Sequence, residues 1–254
     1  MATAMPSDAT LQKQREELAC ALRWAARHGF QEGVDNHFSL AVAGDDGQHQ
    51  GDLFLVNPYG FHWSEVTASS LVLCNAEGEV LQGDHQVEDT AFFIHSRIHL
   101  AVPHAAAVLH THMPYATALT LRKGGKLAMC EQNALMFRGR IAYDDTYNGL
   151  ALDNTEGDRM AATIGQASVL FLAGHGVIVM GPSIARAYTE LYYLERAAQA
   201  QVLAASNGSE LIEVDEAVQI HTAQQMEREL PILADRHFSA LRRMLERDEP
   251  EFLN

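Results

Sequence analysis

Cysteine is scarce: Cys20, Cys74 and Cys130 are the only three in 254 residues, far apart and without a C-x-x-C pair. That excludes a disulfide framework and predicts reduced thiols packed inside a cytoplasmic protein. Positive charge is also in short supply, with 18 Lys and Arg against 33 Asp and Glu, a formal net charge of −15. Nucleic acids and anionic lipid surfaces are bound through clustered positive charge, so neither is expected as a partner. There is no apolar run long enough to span a bilayer, because the richest stretch, 168–180, is broken by Gly174-His175-Gly176. The amino terminus, MATAMPSDATLQKQREE, lacks the basic and then apolar order of a secretory signal. Pro/Ser-rich linkers, low-complexity runs and internal repeats are missing too. A single domain over about residues 10–250 is the simplest division, with a helical extension from about 209 and a flexible leader over 1–9.

What is there is an alternation of strand and helix patterns over a composition that is 47% hydrophobic and 20% charged, enough to build a sizeable core. Leu11, Leu18, Leu22 and Ala25 recur at helical spacing before Gly29 and predict a helix over 10–28. Segments 37–43 and 53–57 read as strands, the second closed by Pro58 and Gly60. Segments 71–74 and 79–81 flank Asn75-Ala76-Glu77-Gly78 as a hairpin. Ala91, Ile94 and Ile98 predict a helix over 88–100 that stops before Pro103 and leads into a buried strand over 105–109. Helices over 113–121, 155–164 and 183–205, strands over 168–172 and 177–180, and a charged helical tail complete an α/β pattern.

Two short motifs carry chemistry. His110-Thr111-His112 follows the apolar run 105–109, and in an extended chain residues i and i+2 point to one side, so both imidazoles can converge on a single ion. A hydrogen-bonded or solvated pair is the competing account. Gly174-His175-Gly176 sits between SVLFLA and VIVMG, where flanking glycines allow a sharp turn that projects one imidazole at a sheet edge. There the competing account is a buried core histidine.

These residues resemble a known family. AAAVLHTHMPYATAL, followed by FLAGHGVIVMG and a long alanine-rich helix containing LER, is similar to the class II aldolase/adducin family, as is FLVNPYGFHWSEVTASSLVLCNAEGEVLQG. The resemblance runs from about Trp24 to Ala204 and is to an adducin-like branch related to ribulose-5-phosphate 4-epimerase and fuculose-phosphate aldolase. It implies a three-layer α/β/α fold around a mostly antiparallel sheet, a homotetramer, and a divalent metal held by His110, His112 and His175. Zinc is the first expectation, with iron, manganese, cobalt or nickel as alternatives. A substrate hydroxyl and carbonyl on such a cation would leave negative charge stabilised as an enolate when a neighbouring C–C bond breaks, which is lyase chemistry.

Departures from the family's sugar-phosphate members narrow the substrate. Their phosphate loop corresponds to Gly33-Val34-Asp35-Asn36-His37-Phe38-Ser39, where Asp35 would repel a dianion, and their serine pair corresponds to His85-Gln86-Val87-Glu88-Asp89, which has no serine. A non-phosphorylated hydroxy or oxo acid is therefore expected, with Asn36, His37, Asn57, Gly60 and His95 as substrate-binding positions. Glu88 matches the catalytic carboxylate after a two-residue shift, although Glu88 and Asp89 could equally just open a helix. Tyr143 matches a proton-donating tyrosine, with Tyr147 as the alternate, and either could instead be structural. His62, His85, His99 and Glu131 are unranked pocket candidates. The leading expectation is a metal-dependent aldolase or decarboxylase; the alternatives are an iron-dependent oxygenase on the same fold and a non-catalytic adducin-like scaffold.

Overall fold

Short runs of β-branched and aromatic residues become eight strands in the computed structural model, which describes residues 3–254. They are β1 (His37–Ala41), β2 (Leu53–Val56), β3 (Val72–Asn75), β4 (Val80–Gln82), β5 (Ala107–Thr111), β6 (Ile141–Asp144), β7 (Val169–Leu172) and β8 (Gly176–Gly181). All lie in one sheet, ordered β4-β3-β2-β1-β5-β8-β7-β6. Every pairing is antiparallel except β6 with β7. The helices are α1 (Asp8–His28), α2 (Asp89–Ala101), α3 (Pro114–Thr120), α4 (Gln132–Leu135), α5 (Asn154–Ile164), α6 (Ile184–Ala204) and α7 (Glu216–Asp248).

Strand alternation divides the core in two. Phe38, Leu40, Leu55, Leu109 and Phe171 point to the face covered by α1, α6 and α7. Val108, Leu170, Ile178 and Met180 point to the opposite face, where Ile94 and Ile98 of α2 and Met160 and Ile164 of α5 cover them. The result is the three-layer α/β/α arrangement with a mostly antiparallel sheet. On β1 and β5 the polar residues on the α2 side are His37, Ser39 and His110, in strands that apart from Thr111 are otherwise apolar.

Several boundaries differ from the sequence expectation. Helix α1 starts at Asp8 because Ser7 caps it, its side chain accepting from the Thr10 amide, and Ser7 also bonds Asp45. Upstream, the Thr3 amide and hydroxyl both donate to Asp52. Strand β5 runs two residues further than expected, so His110 lies inside the strand. Strand β6 has no counterpart in the expectation, since IAYD is brief and ends in a charged residue. The tail after residue 209 becomes the 33-residue α7, whose Leu230, Phe238, Leu241 and Leu245 enter the main core. The indole Nε1 of Trp24 donates to the Leu241 carbonyl and ties this helix to α1.

Candidate metal centre

Strand β5 delivers the first imidazole and the bend beyond it the second. His110 is 2% exposed, and its Nδ1–H donates to the Val177 carbonyl on β8 at 3.0 Å, which leaves Nε2 as a lone pair. His112 is oriented from behind: its amide donates to the Asn36 side-chain oxygen at 3.1 Å, which also accepts the Glu32 amide. The third ring, His175, stands in the tight turn between β7 and β8. Gly174 takes a φ of 65° there. Gly176 lets the Thr111 carbonyl and the His112 ring approach too closely for any β-carbon.

The three rings converge. Their centroids are 4.8–5.0 Å apart, with edges turned to one another. One ligand nitrogen from each lies within 4.8 Å of the others. His112 Nε2 is buried and makes no hydrogen bond, as a nitrogen reserved for a cation would be. Burial is the main force lowering all three imidazole pKa values, that of His175 to about 4. Neutral imidazoles are the metal-binding form, so the donor set fits a divalent cation with open positions.

Beside the trio lies a small cavity bordered by His37, Thr90, His110, Tyr147, Leu150 and His175. Among the described residues no Lys or Arg borders it. The first turn of α3 is held by Glu195 of the LER segment, whose two carboxylate oxygens accept the Tyr115 and Ala116 amides at 2.9 and 2.8 Å. Burial raises that carboxyl to about 7.

Comparison with known proteins decides the lineage. Residues 16–202 match the family model described as Class II Aldolase and Adducin N-terminal domain. The chain belongs to the class II aldolase and adducin family. A putative aldolase class 2 protein from Caulobacter vibrioides is 32% identical over 94% of this chain and 91% of its own length. Among solved structures, an aldolase II superfamily protein from Pseudomonas syringae is 34% identical with a TM-score of 0.87, covering 96% of both chains. The L-fuculose 1-phosphate aldolase from Glaciozyma antarctica is 27% identical with a TM-score of 0.82, covering 98% of this chain and 96% of its own.

Within this class II aldolase fold the other expected site residues fall into three groups. His37 borders the cavity, its ring 4.9 Å from that of His110, and its Nδ1 bonds His95 Nε2 at 2.7 Å. Glu88 is the N-cap of α2, where its Oε2 accepts from the Ala91 amide and the Thr90 hydroxyl, and the same oxygen stands 3.8 Å from His37 Nε2. Glu88 therefore both caps α2 and stands next to His37, the residue that borders the cavity.

A second group braces the loops. Asn57 accepts the Phe38 amide, and Gly60 lies in an exposed turn with a φ of 80°. His62 caps a short 3-10 turn, His85 packs on Phe61, and Glu131 caps α4. The third group is Tyr143 alone. It sits on β6 and stacks on Phe171, while its hydroxyl accepts the Leu127 amide at 3.2 Å. Within this chain it does not border the histidine cavity, whereas the exposed Tyr147 does, 6.1 Å from the His175 ring. Residues 149–151 and Met160 also border the cavity, and no sequence signal marked them.

Proposed function

We propose that this family member is a divalent-metal-dependent lyase, an aldolase or decarboxylase, cleaving a C–C bond beside the carbonyl of a small, non-phosphorylated hydroxy or oxo acid. The observation that carries this reading is the convergence of three imidazoles, one with a buried and unpartnered Nε2, beside an open cavity. His110, His112 and His175 would hold the cation, zinc first among zinc, iron, manganese, cobalt and nickel. Bound there, it supplies Lewis-acid polarisation of a substrate carbonyl and hydroxyl.

The protein's own residues supply the rest. His37 places an acceptor at one wall, with the Glu88 carboxylate 3.8 Å from it, where a proton leaves the substrate. Tyr147 at the mouth is the donor to the departing fragment, since Tyr143 does not border the cavity. Asn36 keeps His112 aimed, and His95 keeps His37 aimed. Glu32 and Asp35 act electrostatically on His112, and no cationic side chain borders the cavity, so a phosphate dianion is disfavoured. This differs from the substrate in the name of the Glaciozyma enzyme. The protein is proposed to work in the cytoplasm as a homotetramer, the exposed Leu121, Leu150 and Leu152 being suited to subunit contacts.

The test is metal analysis of the purified protein, followed by a screen of hydroxy and oxo acids for CO₂ or aldehyde release with each cation. Release that needs metal and vanishes in His175→Ala supports the lyase. Oxygen consumption with iron would replace it by the oxygenase. Faster turnover of a sugar phosphate than of its unphosphorylated form would overturn the substrate class. A protein with no metal affinity at all would point to a scaffold.

A further inference from the structure

Behind the candidate metal centre, four polar side chains form an unbroken hydrogen-bonded series between the sheet and α2. His99 Nδ1 meets the Ala105 carbonyl at 2.9 Å, His99 Nε2 meets Ser39 Oγ at 2.7 Å, Ser39 Oγ meets His95 Nδ1 at 2.5 Å, and His95 Nε2 meets His37 Nδ1 at 2.7 Å. His95, His99 and Ser39 are 0–2% exposed, and His37 is 5% exposed. Burial of this depth, with no carboxylate bonded to His95 or His99, keeps those rings neutral.

Proton counting then allows one arrangement. A carbonyl oxygen only accepts, so His99 carries its hydrogen on Nδ1 and offers a lone pair at Nε2. Ser39 spends its single hydrogen on that lone pair, and so must accept from His95 Nδ1–H. His95 Nε2 is then a lone pair, and His37 Nδ1–H donates to it. The hydrogen of His37 is committed to the interior. What its ring turns to the cavity is a bare Nε2, beyond hydrogen-bond distance of Glu88 Oε2 at 3.8 Å.

We infer that His37 is a substrate-contacting residue whose Nε2 is fixed as a hydrogen-bond acceptor by Ser39, His95 and His99, so that this wall of the cavity takes a hydroxyl donor and refuses a carboxylate or phosphate oxygen. Glu88 stands next to this wall rather than in it, and its carboxylate, 3.8 Å from His37 Nε2, adds negative charge beside that nitrogen. This deepens the lyase reading and rests on it: the substrate carries a free hydroxyl directed at His37, while its carboxylate lies elsewhere. Ser39, His95 and His99 are positioning residues that touch no substrate.

The deciding measurement is the imidazole tautomer state of ¹⁵N-labelled protein near neutral pH, metal-free and zinc-loaded, read from long-range ¹H–¹⁵N correlations assigned through the side-chain carbons. His37, His95 and His99 are each expected as the pure Nδ1–H form. An Nε2–H form of His37, or a mixture, overturns the inference. Ser39→Ala should leave zinc content at the parental level and convert His37 to a mixture; a pure Nδ1–H His37 in that variant would show that the series does not set it. Glycolate, which has a hydroxyl, and oxalate, which has none, then probe the wall in the zinc-loaded enzyme. His37→Ala should weaken glycolate about tenfold, the worth of one hydrogen bond to an organised acceptor, and leave oxalate unchanged. Equal losses for both would overturn the selectivity. Failure to bind zinc would sink the metal reading alone, because the tautomers are read in the metal-free protein as well.

Discussion

Gly176 and His112 are in a contact that no other residue type permits: a β-carbon on Gly176 would stand 2.8 Å from the His112 ring and 2.5 Å from the Thr111 carbonyl. The carbonyl is backbone of a central strand, so the shorter clash is relieved only by shifting β8 against β5, and the His112 ring just past the end of β5 is displaced with it. Gly176→Ala should lower metal affinity by about 10–100-fold, the usual effect of disturbing a ligand's support. Competition against a chromophoric chelator measures this, and parental affinity would contradict the packing argument.

His175 stands in a turn and is half-buried, so its removal should cost little folding stability. His175→Ala is expected to lose stoichiometric metal while its far-UV circular dichroism stays that of the parent. Metal retained at one equivalent would show that His110 and His112 hold it with some other group.

Acid should weaken the metal-free protein in a defined window. Burial lowers His37 to about 3 and His99 and His175 to about 4. In the unfolded chain these groups take protons near 6.5, so protonation draws molecules toward the unfolded state. Their contribution is whole above about 6.5 and is lost progressively as pH falls, down to about 4 for His99 and His175 and about 3 for His37. Calorimetry of the apoprotein should show Tm dropping across that window, and a flat Tm would contradict the depressed values.

The two tyrosines should separate cleanly. Tyr147→Phe is expected to lower kcat about a hundredfold, the lower range for loss of a general acid, with little change in Tm. Tyr143→Phe removes the acceptor of the Leu127 amide and should act on Tm first. The reverse pattern in steady-state kinetics would return the donor role to Tyr143.

Glu195 should matter to stability more than its distance from the chemistry suggests. Glu195→Ala leaves the Tyr115 and Ala116 amides without their acceptor in a buried place, at a cost of about 2–4 kcal/mol. Denaturant unfolding checks the figure; a cost below about 0.5 kcal/mol would mean that water replaces the carboxylate.

How much of this could be read from the chain alone depends on how local the determinants were. LFLV, VLFL and GVIVMG advertise strands through their own side chains, and the H-x-H and G-H-G motifs show their ligands within three residues. Strand β6 does not, because IAYD becomes a strand by parallel pairing with β7, Tyr143 opposite Phe171. That pairing carries Tyr143 away from the histidines and leaves Tyr147 in the loop at the cavity. The buried series was visible only as fragments: H-x-S at 37 and 39 has the period of a strand face, and H-x-x-x-H at 95 and 99 that of a helix face. Neither indicates that the faces meet, which the pairing of β1 with β5 and the crossing of α2 decide.

His37 lies directly across from His110 in the antiparallel pairing of β1 with β5, and Ser39 across from Val108. Strand faces alternate strictly, so losing one residue within β1 would swing Phe38 and Leu40 toward α2 and expel both polar groups into hydrocarbon. Descendants of this chain can thus alter their reaction by exchanging side chains or by rebuilding the 145–152 segment, but a one-codon deletion in β1 would erase the entire polar wall at a stroke.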